Sequence, residues 1–216
     1  MLEFSHVKVY DLEESVIACR NAMRTDMPQY TEEEFKKSLE RAKKLVSASS
    51  RDKHVKSHDN FLTGIRVSFD MKYEQYITKQ FQRYHWFDYV SSSSMMHRII
   101  KMDFSQCCNK YVDDLVKSHM KALIESYNGL LVEKDKYTDR MAEYKDMLYE
   151  RFMRIISNCP MGAELFVHVS TNYKQLQTIY YQRQHHKLKE DYQAFFDMVE
   201  SLPYAKELII CKDEDQ

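Results

Sequence analysis

Apolar and polar positions alternate in three short stretches of the chain and recur at helical spacing between them. Ile65, Val67 and Phe69 interleave with Arg66, Ser68 and Asp70, the two-residue period of a half-buried strand. Leu165, Val167 and Val169 repeat the pattern late in the chain, and Phe4, Val7 and Val9 predict an edge strand near the start. The strands expected are therefore residues 4–10, 61–72 and 164–170.

Between them the period lengthens. Asp11 is placed to cap a helix over 12–23, and Thr31 with Glu34 forms a capping box opening a helix over 32–47, whose apolar face is Phe35, Leu39, Ala42 and Leu45-Val46. Residues 47–57, SASSRDKHVKS, read as a mobile polar connector. Tyr76, Ile77, Phe81 and Tyr84 predict helix over 75–85, after which Ser91, Ser92, Ser93 and Ser94 read as a polar loop. Two further stripes, over 111–132 and 138–157, predict an antiparallel helical hairpin. Thr171 is the expected N-cap of one long helix over 172–202. The class implied is α+β, a small mostly antiparallel sheet covered by long helices, and residues 211–216 read as a frayed acidic tail.

Composition narrows the chemistry. At 216 residues the chain suffices for one domain with a proper core. Three glycines and three prolines are far below the usual shares of about 7% and 5%, and isolated glycines cannot build a Rossmann fingerprint or a Walker loop. A nucleotide would therefore be held by side chains and helix ends. The net charge of -1 disfavours a nucleic-acid partner. The odd count of five cysteines, without a CxxC or a Cys/His spacing, points to reduced cytoplasmic thiols rather than zinc, and Cys107-Cys108 reads as a pair of small packing residues. No stretch approaches the roughly 20 apolar residues of a membrane span, so no membrane role is expected.

Two clusters carry candidate chemistry. In the first, Arg83 and His85 precede the serine run and Arg98, offering charge and hydroxyls to a phosphate, with Trp86, Phe87 and Tyr89 available to stack on a base. In the second, Lys174, Thr178 and Gln182 share one helix face, while Asn172 and Arg183, eleven apart, share another. His185-His186 is not a metal pair, because adjacent helical residues point about 100° apart.

These clusters resemble the flavin-dependent thymidylate synthase family. Its signature is Arg-His-Arg, seven residues, Ser, one residue, Arg. Laid without gaps, it begins on Arg83 and continues with Tyr84 in place of the histidine, His85 in place of the second arginine, Ser93 on the serine and Met95 in place of the last arginine. Arg98 stands three residues further on. A family glutamine falls on Gln80, and the family's late helix puts an asparagine on Asn172, an arginine on Lys174, an asparagine on Thr178, an arginine on Arg183 and, one residue shifted, a histidine on His186.

The resemblance implies a single thymidylate synthase-complementing-like domain over residues 1–216, in a homotetramer whose nucleotide sites lie between subunits. It places a dUMP-like nucleotide on Arg83, Ser91, Ser92, Ser93, Ser94, Arg98, Asn172 and Arg183, with Arg183 polarising the uracil ring as the catalytic residue. It places FAD against Gln80, Tyr84, His85, Lys174, Thr178 and His186. In full it implies FAD-dependent methylation of the pyrimidine from methylenetetrahydrofolate with NADPH as reductant. Replacement of two signature arginines by His85 and Met95 keeps two other readings open, a non-catalytic nucleotide-binding or nucleotide-sequestering protein on the same fold, and a structural helical oligomer.

Overall fold

The computed structural model describes residues 2–51 and 58–210. In chain order the elements are β1 (Glu3–Tyr10), α1 (Leu12–Ala18), α2 (Glu32–Arg51), β2 (Arg66–Glu74), α3 (Thr78–Phe81), β3 (Asp88–Ser92), α4 (Met95–Arg98), α5 (Asp114–Val132), α6 (Met141–Asn158), β4 (Glu164–Asn172), α7 (Tyr173–Arg183) and α8 (Lys189–Glu200), with short 3-10 turns and a π-helical turn at Lys206–Ile210. The strands form one antiparallel sheet ordered β1-β2-β4-β3, and the fold is α+β. The residues fall into two compact units, one of Met1–Met71, Phe81–Ser91 and His168–Gln216, the other of Lys72–Gln80 and Ser92–Val167.

In the first unit, Tyr173 N–H donates to Ile65 O at 3.0 Å and sets the register of β4 on β2. Phe69 then stands opposite Val169 on the buried face, and Asp70 opposite His168 on the other. Asp70 accepts from His168 at 2.7 Å and from His6 of β1 at 2.9 Å, so one carboxylate links three strands. These two hydrogen bonds, His168's first, hold its carboxyl below the usual aspartate value. Aromatic rings fill the core above the sheet: Phe81 stacks on Phe87 at 4.8 Å, and Phe195 lies 5.7 Å from Phe81.

In α2 the face Phe35, Leu39, Ala42 and Val46 is buried as its spacing predicts. The Thr31 hydroxyl accepts from Glu34 N–H at 3.2 Å, but the Glu34 carboxylate bonds Arg20 at 2.6 Å and also Arg24, so the capping box is only half made. Asp11 does not cap α1 through its side chain; it adopts φ 57° and pairs with Arg66 at 2.8 Å. The expected connector at 47–57 is helical as far as Arg51, and the rest of it, like the tail at 211–216, lies outside the described residues.

In the second unit α5 and α6 form the expected hairpin, with Met120 and Ile124 of one helix and Ile155 of the other in a core shared with Ile99, Phe104 and Ala163. Among the described residues, no helix is long and apolar enough to cross a membrane.

Three predicted elements differ. Residues 75–85 make only a 3-10 turn and the single-turn α3. Asp88–Ser92 is a fourth strand, so Ser91 and Ser92 lie in the sheet rather than in a loop. The long helix is two helices, α7 and α8, and Asn172 rather than Thr171 caps the first, its Oδ1 accepting Gln175 N–H at 2.8 Å.

Candidate functional site

The candidate site is built on the first unit by two segments that meet in space. The first is α7, which begins on the residue after β4, so Asn172 ends the strand and caps the helix at once. Tyr173, Leu176, Ile179 and Tyr180 face the core, leaving Gln175, Thr178 and Gln182 to face the second segment, residues 83–86. Burial of Phe81 and Phe87 at its ends forces that segment to turn between them, with Tyr84 N–H donating to Phe81 O at 3.0 Å and Phe87 N–H to Tyr84 O at 3.3 Å. The Trp86 peptide is clamped from both sides: its carbonyl accepts the Thr171 hydroxyl at 2.7 Å, and its N–H donates to Gln175 Oε1 at 3.3 Å.

The result is a cavity of about 540 Å³ lined by Arg83, Tyr84, His85, Gln175, Thr178, Gln182 and Arg183. Arg183 is 9% exposed. Its Nε–H donates to the Tyr84 hydroxyl at 2.8 Å, and that hydroxyl donates to Gln182 Oε1 at 3.1 Å. The guanidinium carbon lies 5.5 Å from the ring centres of both Tyr84 and Tyr192. Among the described residues no carboxylate pairs with Arg183, and none lines the cavity. Burial pushes the Tyr192 hydroxyl up to about 12, so it too brings no negative charge. Burial first, then the charges of Arg183 and Lys187, lower the pKa of His186 and favour its neutral form. The cavity therefore presents a buried cation, a second arginine and neutral amide and hydroxyl groups, a chemistry suited to an anionic ligand with carbonyl acceptors.

The sequence-predicted residues divide. Arg83, Tyr84, His85, Thr178 and Arg183 come together around this cavity. Asn172 lies at the start of α7 with its oxygen committed to the cap. Lys174 is turned to the buried carboxylate of Asp59 and also donates to Gln177 Oε1 at 3.2 Å. The Thr178 hydroxyl donates to Lys174 O at 3.0 Å, and His186 Nδ1 accepts Leu188 N–H at 3.2 Å. Ser91 belongs to the first unit, while Gln80, Ser92, Ser93, Ser94 and Arg98 belong to the second. There Ser93 is a strand-edge partner of Phe166, donating its N–H to Phe166 O at 2.8 Å and accepting Phe166 N–H on its hydroxyl at 3.0 Å. Arg98 lies over the Phe166 ring at 4.9 Å. Of the aromatics expected to stack on a base, Phe87 is in the core, whereas Trp86 is 56% exposed and edge-on to His85 at 4.8 Å.

Gln175 is absent from the expected site and Gln182 enters it only as a face-mate of Lys174 and Thr178, although the two glutamines, seven apart with Thr178 between, form one helix stripe. No group of three or more His, Cys, Asp or Glu side chains among the described residues is arranged to hold a metal ion.

No family model and no curated protein matches the sequence. Solved structures do match in fold. A flavin-dependent thymidylate synthase from Helicobacter pylori, complexed with FAD and dUMP, aligns with TM-score 0.63 and 15% identity over 98% of this chain and 99% of its own. A second structure of the Helicobacter pylori enzyme, with FAD and dUMP, gives TM-score 0.58 and 16% identity over 98% of each chain. A UMP/dUMP methylase from Streptomyces cacaoi, bound with 5-Br dUMP, gives TM-score 0.56 and 11% identity over 98% of this chain and 93% of its own. Each of these alignments covers 98% of this chain: the chain has the fold of the flavin-dependent thymidylate synthases, as its two sequence clusters imply.

Proposed function

We propose that the cavity at Arg183 binds a pyrimidine nucleoside monophosphate of the dUMP kind. The observation that carries this reading is the Arg183 guanidinium, buried at the cavity wall, held through Nε by Tyr84 and facing no carboxylate among the described residues. A charge so placed is poorly compensated until an electron-rich partner meets it, and the carbonyl edge of a pyrimidine is such a partner. The volume of about 540 Å³ suits a mononucleotide, and Arg83 adds positive charge for its phosphate. The solved structures that share the fold carry dUMP or 5-Br dUMP, which supports the same ligand class.

The test is a titration with dUMP, UMP and dTMP by calorimetry, on the natural chain and on Arg183→Gln. Saturable binding is expected, weakened at least about tenfold in the variant, the loss of roughly 1.4 kcal/mol or more for a charged hydrogen bond. Equal binding by a folded Arg183→Gln chain overturns the assignment of Arg183.

The cofactor positions fit FAD poorly within this unit. Lys174 is paired with Asp59, Tyr84 is committed to Arg183 and Gln182, and the lowered pKa of His186 favours its neutral form, so none of these three offers a free cation to a diphosphate. A second reading, FAD-dependent methylation of the bound pyrimidine with methylenetetrahydrofolate and NADPH in a homotetramer with sites at subunit interfaces, is favoured by the fold shared with an enzyme complexed with FAD and dUMP. Its test is retention of flavin absorbance after desalting, together with tritium release from labelled dUMP. Sedimentation then gives the oligomeric state. Binding of dUMP by a colourless protein selects the sequestering reading, and binding of neither selects the structural oligomer.

A further inference from the structure

The second unit holds a cavity of about 400 Å³ whose lining includes His97, Arg98, Lys101, Asp103 and Cys107. Basic side chains outnumber the one acid, so the cavity attracts anions. Cys107 is fixed at its wall by the backbone on both sides. Its N–H donates to Asp103 O at 3.0 Å, its carbonyl accepts Glu164 N–H at 2.9 Å, and the next residue, Cys108, bridges antiparallel to Ala163. Cys107 is partly exposed as a residue, and Arg98 brings a guanidinium whose Nη1 is buried without a hydrogen-bond partner.

A hydrogen bond from the Cys108 thiol is the largest influence on Cys107 and, helped by Arg98 against burial and Glu164, lowers its pKa below the ordinary thiol value. The other described cysteines lack this setting. Burial pushes Cys19 and Cys159 up to about 11, and its hydrogen bond to Cys107 raises Cys108.

We propose that Cys107 is the reactive thiol of a modification site for small anionic disulfides, with His97, Arg98 and Lys101, which line the same cavity, receiving the anion. Cys107 loses its proton to water and its sulfur attacks one sulfur of the ligand. The ligand's S–S bond breaks as the Cys107–S bond forms, and the other half leaves as a thiolate. The disulfide itself is the oxidant, so the exchange balances without a further reagent. The proposal does not depend on what the cavity at Arg183 binds.

The experiment compares dithiobis(nitrobenzoate), a dianionic disulfide, with uncharged dithiodipyridine on a Cys211→Ser chain at neutral pH, following release of the leaving thiolate and mapping the adduct by mass spectrometry. One fast equivalent at Cys107 is expected with the dianionic reagent. Arg98→Met should slow that phase roughly tenfold and the uncharged reagent less, Arg98→Lys should keep most of the preference, and Cys108→Ala should slow both reagents. A fast phase that maps to another cysteine, survives Cys107→Ser, or slows equally for both reagents in Arg98→Met overturns the proposal.

Discussion

At the scale of single residues, Tyr84 is the position where sequence and structure illuminate each other most. In the signature it stands where the family has histidine, and it reads as an eroded motif. In space its hydroxyl accepts from Arg183 and donates to Gln182, so it orients the guanidinium that the cavity is built around. Tyr84→Phe leaves a buried Nε–H unpaired and should cost about 1–3 kcal/mol in urea unfolding while weakening dUMP binding. Arg183→Met should lose nucleotide binding without loss of stability in the absence of ligand, because it removes a buried charge that no carboxylate compensates. Lys174 behaves in the opposite way. Asp59, with a side chain only 2% exposed, depends on it, so Lys174→Met should destabilise the chain by about 3–5 kcal/mol in the same unfolding measurement. The sequence pattern places Lys174 on the face of Thr178 and Gln182, but it does not reveal the competing pull of Asp59, 115 positions away in the chain.

At the scale of elements, periodicity was informative wherever one face of an element is buried. β2 and β4, the two inner strands, carry the clear alternation, and α2, α5 and α6 carry clean stripes. β3 is an edge strand whose residues are mostly exposed, so no burial pattern marks it, and a run of serines reads as a loop. The break between α7 and α8 falls in residues 184–188, which contain neither glycine nor proline to announce it. His186 sits in that break. Its folded pKa lies below its unfolded value near 6.5, so the folded state binds protons less readily. Stability present above that value should fall as pH drops through it towards the lower folded pKa, where the loss stops because both states are then protonated. Thermal melts across that window should show a shallower acid loss in His186→Asn than in the natural chain.

At the scale of the whole molecule, the α+β class and the order of β1, β2 and β4 with α1, α2, α5 and α6 between them are legible from pattern, because low glycine and proline leave long uninterrupted elements to read. The division into two compact units is not, since β2 and β4 each run through the boundary without a change of composition. That continuity predicts one cooperative transition. An added methyl at Gly64 would meet Ser15 Oγ at 2.5 Å in the first unit, and one at Gly162 would meet Val112 Cγ2 at 2.6 Å in the second. Gly64→Ala and Gly162→Ala should each cost roughly 1–3 kcal/mol of overpacking and lower the same single calorimetric peak. Two peaks, each answering to only one of the substitutions, would show that the units melt apart.

The direct passage of β4 into α7 makes chain length, more than side-chain identity, the quantity to which the cavity is most sensitive. Asn172 leaves the sheet and Tyr173 opens the helix with no residue between them, so the pairing of β4 in the sheet fixes the rotation of α7 about its axis. One residue inserted at that junction turns everything after it by about 100° and swings Arg183 off the cavity wall, even though every contacting side chain is still encoded. The same insertion within residues 184–188 falls after Arg183 and leaves its placement intact. Insertions and deletions therefore probe this junction where point substitutions do not.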